Sequence, residues 1–187
     1  MAEIKGALLK AWTNFLKQRY GVETLSSSMA NLTATDQQAL SAPFLDSSWY
    51  SYDTLHALRR LTRTLVTKAD GDLSVAIGRH MAQEVFTGVY HSFLVADPVK
   101  QVEKFAWISD FFFRETRTLE TEVKSQQSCV VRYRYDYGTK PTRAICNSLL
   151  GFWSHTLELA GASNVKAEQT KCVINNASCC EFTFDWE

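Results

Sequence analysis

Residues 149–187, LLGFWSHTLELAGASNVKAEQTKCVINNASCCEFTFDWE, run from a helix into a strand, a polar turn and a last strand. On that last strand Cys180, Phe182, Phe184 and Trp186 share one parity, and Cys179, Glu181, Thr183 and Asp185 share the other. Alternation of this kind sets one face on a core and the other in water. The hairpin is expected over 165–174 and 178–186. The helix before it, over 143–160, turns Ile145, Leu149, Phe152, Trp153 and Ala160 inward and His155 outward, and Gly161 closes it. Upstream, 118–124 alternates through Leu119, Thr121 and Val123; a turn at Gln126-Gln127-Ser128 leads into CVVRYRYDY, a partner strand. The order β-β-α-β-β predicts an α+β fold, an antiparallel sheet with helices on one face.

The first part of the chain reads as helices. Over 4–19, Ala7, Leu8, Ala11, Trp12, Phe15 and Leu16 recur at three- and four-residue spacing, and Gly21 ends the helix. A short helix over 22–29 follows, then one opened by Thr35 as N-cap with Gln38 three residues on. From Ser51 a helix turns Leu55, Leu58, Leu61, Thr62 and Leu65 inward; His56, Arg59, Arg60 and Arg63 lie opposite and read as a solvated face. Asp70-Gly71 is a turn signal. A long helix over 73–96, apolar almost all round, is expected at the centre, with Gly78, Ala82 and Gly88 letting neighbours approach. Its stripe of His80, Gln83, Glu84, Thr87 and His91 matches no metal-ligand spacing and reads as structural. Asp97-Pro98 restarts the chain as an aromatic-rich helix. With no repeats or linkers, one domain over 1–187 is expected, mainly helical over 1–115 and α/β over 116–187.

Lys and Arg number 20 and Asp and Glu 20, so the field needed to displace counterions from phosphates is missing and nucleic acid is not an expected partner. No apolar run approaches the ~20 residues of a membrane span, and the start of the chain has no signal-peptide layout. The odd set Cys129, Cys146, Cys172, Cys179 and Cys180 is not a disulfide framework; reduced thiols and a cytoplasmic location are expected. No phosphate-binding, dinucleotide or nucleophile-elbow motif is present, so an enzyme is not expected. Cys172 and Cys180 flank the hairpin turn, and Glu168 has the parity of Cys172; these three are the candidate zinc ligands, against the plainer reading of buried thiols.

The end of the chain, LELAGA, KAEQTKC and CCEFTFDW, resembles the 4-vinyl-reductase-type small-molecule-binding domain. Cys172 and Cys180-Glu181-Phe182 match it, with Asn175-Asn176-Ala177 in place of the usual glycine-containing turn. IKGALLKAWTNFLKQRYGVETL, PFLDSSWYSYDTLHALRRL and GVYHSFL are similar to haem nitric-oxide-binding domains and their haemless bacterial relatives. The resemblance implies the fold also used by the TRAPP vesicle-tethering subunits: helices on a twisted four-stranded antiparallel sheet, a hydrophobic pocket between the two parts, and homodimers. Haem is not expected, because YRYDYG lacks the Tyr-x-Ser-x-Arg pattern and WISDFFFRE occupies the region of the proximal histidine. In phenol-sensing members of the 4-vinyl-reductase type the cysteine hairpin binds zinc; no cofactor is the expectation here, with zinc at this hairpin as the alternative.

The expected function is therefore a non-enzymatic sensor or regulatory module that binds a small apolar or aromatic ligand and signals to a partner protein. Trp49, Tyr50, Phe86, Tyr90, Trp107, Phe111 and Trp153 are the expected pocket lining, beneath the terminal hairpin. The alternatives are a ligand-free dimeric scaffold, favoured by packing too tight for benzene, and a zinc or haem protein.

Overall fold

The computed structural model describes residues 1–67, 70, 72–135, 139 and 141–187. Part of the Asp70-Gly71 turn and the last residues of CVVRYRYDY lie outside the described residues. The chain opens with β1 (Glu3–Lys5), which leads directly into α1 (Gly6–Tyr20). Two short helices follow, α2 (Val22–Met29) and α3 (Ala34–Leu40). Thr33, not Thr35, caps α3: its side chain accepts from the Asp36 N–H, so the cap lies two residues earlier than expected. β2 (Trp49–Ser51) then enters α4 (Tyr52–Leu65), with Ser51 as its N-cap.

The expected long helix is broken. α5 (Ser74–Thr87) ends at Gly88, whose backbone leaves the helical region (φ −100, ψ −133), and only a 3₁₀ turn over His91–Phe93 follows. Glycine after a helical run is a stop signal, and here it outweighs the apolar pattern beyond it. α6 (Pro98–Phe112) starts where expected, with proline in its first turn and the Asp97 carboxylate accepting from the Lys100 N–H. It runs into β3 (Phe113–Arg114).

The C-terminal half follows the expected order: β4 (Thr118–Ser125), β5 (Ser128–Arg134), α7 (Arg143–Leu159), β6 (Lys166–Lys171) and β7 (Cys180–Asp185). The four strands form an antiparallel sheet in the order β4-β5-β7-β6. In the hairpin turn Asn176 is left-handed (φ 64), the conformation asparagine tolerates in place of glycine. A second sheet, β2-β1-β3, was not legible from the pattern because its strands are two or three residues long.

The inner face of β7 is as expected, with Cys180, Phe182 and Phe184 almost fully buried. Glu181, of the outer parity, is buried too. Arg132 Nε donates to it at 2.6 Å, Lys171 Nζ at 3.2 Å and Thr170 Oγ1 at 3.0 Å. These contacts, Arg132 first, hold its carboxyl down at about 2, against 4.5 for a free glutamate. A depressed folded-state value stabilises above the unfolded value and loses that contribution as acid protonates the native carboxylate. Stability is thus expected to hold above about pH 4.5 and to fall toward pH 2, and Glu181→Gln is expected to flatten that fall. Urea titrations across pH check it; identical acid slopes for both proteins would contradict it.

Candidate functional site

Between the helices and the sheet lies a cavity of about 40 Å³. Leu8 and Trp12 of α1, Met81 of α5, Ile108 and Phe112 of α6, and Phe152 and Trp153 of α7 wall it, with Tyr133 of β5 and Arg117. Its lining is mostly apolar because these helices turn their buried faces toward one another there. Trp153 Nε1 donates to the Tyr133 hydroxyl and Trp12 Nε1 donates to Thr62 Oγ1 at 3.0 Å, so both indoles are fixed. Burial pushes the Tyr133 phenol up to about 12, so it stays neutral at physiological pH.

Arg117 is the exception to the apolar wall. It is 5% exposed and its guanidinium lies 3.8 Å from the centre of the Phe113 ring and 5.0 Å from that of Tyr133. Nη1 reaches the Tyr52 hydroxyl at 3.4 Å, while Nε and Nη2 have no partner. Among the described residues, the neighbours acting most on its charge are the tyrosines 52, 133 and 135. A guanidinium does not escape burial by losing its proton. Burying such an ion costs several kcal/mol, whereas desolvated ring contacts return about 2 kcal/mol and a neutral hydrogen bond about 1 kcal/mol. The charge is therefore left under-compensated beside the cavity.

Among the expected lining residues, Trp153 borders this cavity and Trp49, Tyr50, Phe86, Tyr90, Trp107 and Phe111 do not. Trp49 has Lys5 Nζ 4.1 Å from its ring centre and the Arg114 guanidinium 3.8 Å from it. Tyr50 hydrogen-bonds the Leu45 N–H, and Phe86 packs on Phe152. Tyr90, Trp107 and Phe111 join Phe93 in an outer aromatic group, in which Trp107 is half exposed. Nor does the terminal hairpin roof the cavity: no residue of β6 or β7 lines it, and β5 and α7 take that place. Arg117 was missed; the signal available was a lone arginine at the entry to a strand whose inner residues are apolar. The basic strip of α4 is partly neutralised, since Arg60 forms a two-pronged ion pair with Asp36; Arg59 hydrogen-bonds the His56 ring.

The hairpin cysteines do converge. Cys172 and Cys180 have Sγ atoms 3.8 Å apart, and Cys146 of α7 brings a third Sγ 4.0 Å from Cys180. All three are buried, free and mutually within 4.8 Å. A tetrahedral zinc with bonds of ~2.3 Å needs sulfurs about 3.8 Å apart, so the spacing fits. Glu168 is not part of the cluster: β6 bulges between Gln169 and Lys171, which switches the face, and Glu168 is exposed. Gln169 instead turns a buried amide toward Cys146. Contact with the Cys146 thiol, then donation from the Val173 N–H, lowers the Cys180 thiol below its ordinary value against its burial.

No protein-family profile matches the chain, and no curated protein matches it. Solved structures do. The H-NOX protein of S. oneidensis in the Fe(II)NO ligation state superposes with a TM-score of 0.71 at 10% identity, covering 98% of this chain and 99% of that one. The Fe(II) unliganded H-NOX protein of K. algicida gives 0.69 at 16% identity, with 98% and 97% covered. A third, solved to probe heme distortion in the H-NOX family, gives 0.70 at 10% identity, with 98% and 95% covered. These neighbours overturn the expectation that haem can be set aside: the fold is one that solved haem proteins use. The lining described here offers the Met81 thioether, the Tyr133 phenol and Arg117 but no imidazole, and ~40 Å³ falls short of the ~300 Å³ where ligand pockets begin. The residues as they stand do not fit the macrocycle, so no step is derived through it. From its first helices to its four-stranded sheet, the chain has the fold of the H-NOX domains.

Proposed function

We propose that this chain is a non-enzymatic sensor domain of the H-NOX fold, in which a small ligand enters the cavity at Arg117 and its occupancy is passed to a partner protein. The observation that carries the reading is an under-compensated buried arginine beside a cavity where the helices meet the sheet. The volume sets the ligand's size. A benzene-binding cavity measures ~150 Å³ and a water takes ~30 Å³, so ~40 Å³ suits two to four heavy atoms. The space is too tight for benzene, the outcome expected to favour the ligand-free scaffold, so the aromatic ligand is dropped and the sensor reading is kept for smaller ligands alone. Among the described residues no helix is long and apolar enough to cross a membrane. Homodimerisation is part of the proposal and would be read by sedimentation.

The test is a ligand screen by thermal shift on the purified protein, with an absorption spectrum before and after haemin addition. A saturable rise in Tm with ligands of a few heavy atoms supports the reading. A protein silent to every such ligand is a scaffold instead, and a stoichiometric Soret band would make haem the occupant.

The thiol cluster carries a second reading, a zinc clamp joining α7 to the β6–β7 hairpin through Cys146, Cys172 and Cys180. One zinc per chain by elemental analysis, lost in Cys180→Ser, is the expected result. Metal-free protein with unchanged Tm would contradict it.

A further inference from the structure

The two unpartnered nitrogens of Arg117 are Nε and Nη2. In a guanidinium these two lie side by side and point the same way, the fork that takes both oxygens of a planar oxyanion. Nη1, on the other edge, is the nitrogen engaged by Tyr52. The free edge is thus the bidentate one, on a side chain 95% buried that lines the cavity.

We infer that the ligand of this cavity is a small monovalent planar oxyanion of the formate or nitrite class, held through both oxygens by Nε and Nη2 of Arg117. The inference rests on the sensor reading and narrows its ligand. Three features favour this class. Among the described residues the groups that act most on the positive charge are the tyrosines 52, 133 and 135, so a single negative charge would balance it. The cavity of about 40 Å³ holds a three-atom anion and rejects benzoate. The neutral Tyr133 phenol and the apolar walls give a second anionic charge no partner, which disfavours sulfate and phosphate.

Haem-free protein, checked by its absorption spectrum, is titrated with sodium formate while Tm is followed at constant ionic strength in chloride. Formamide serves as the neutral counterpart of equal size and benzoate as the oversized anion. The expected result is a saturable rise of several degrees with formate, at least tenfold weaker with formamide and absent with benzoate. Arg117→Met is expected to abolish the formate response, and Arg117→Lys, which keeps the charge but not the fork, to weaken it at least tenfold. Should Arg117→Met fail to fold, the formate-to-formamide ratio and the lysine variant still decide. Equal responses to formate and formamide, or an undiminished response in either variant, would overturn the anion inference and leave the sensor reading standing. Silence toward both small ligands would overturn the anion inference, and the sensor reading would fall only if the wider screen of small ligands were silent too.

Discussion

Gly151→Ala is expected to lower stability by about 3 kcal/mol or more, the upper end for overpacking in a core. α5 and α7 cross with glycine on each side. A Cβ on Gly151 would stand 2.1 Å from the Val75 carbonyl oxygen, and one on Gly78 would stand 1.9 Å from that of Ser148. Ordinary contact begins at 3.4 Å, so the shortfall at Gly151 is 1.3 Å, and the obstacle is backbone that no rotamer change removes. Within a helix the same change otherwise gains about 1 kcal/mol of propensity, so the sign of the result reports the crossing itself. At ~2–4 °C per kcal/mol for a domain of this size, Tm should fall by about 6–12 °C. Gly78→Ala should behave alike. A variant as stable as the parent, or more so, would mean that the two helices do not approach as described.

Trp153→Ala is the second large effect, a loss of about 3–5 kcal/mol. The indole is 2% exposed, lies 4.0 Å between centres from Phe105 and 5.0 Å from Phe152, and bonds Tyr133. Its removal joins the space it filled to the existing cavity and approaches the ~150 Å³ at which an apolar cavity takes benzene. Benzene is therefore expected to raise the Tm of the variant and not that of the parent, by the linkage between binding and folding. Trp107→Ala, at a side chain 52% exposed, is the comparison and should change stability little. A benzene effect equal in parent and variant would show that the indole does not bound this space.

The four-stranded sheet and its inner face were legible because period-two alternation over six or more residues is a strong signal, as in Cys180–Asp185. The break at Gly88 and the cap at Thr33 were less so, since an apolar run outlasted its helix and two threonines competed for one cap. The small sheet of Glu3–Lys5, Trp49–Ser51 and Phe113–Arg114 is held by pairing between distant segments, which no local pattern records. Cys172 and Cys180 were found from the hairpin, but Glu168 was chosen by counting parity across a bulge that reverses it. Cys146 came in from a helix by tertiary packing. Dense aromatics drew attention to Trp107 and Phe111, which sit near the surface, while the charged Arg117 went unread because burial of a cation leaves no mark on composition.

The most direct test uses the five tryptophans as reporters. Trp12 and Trp153 line the cavity, and Trp49, Trp107 and Trp186 do not. In ¹H–¹⁵N spectra recorded over a series of small ligands, charged and neutral, the indole signals of Trp153 and Trp12 are expected to move together and to saturate while the other three hold still. Indoles that stay fixed throughout, or a response confined to the half-exposed Trp107, would contradict a ligand site between the helices and the sheet.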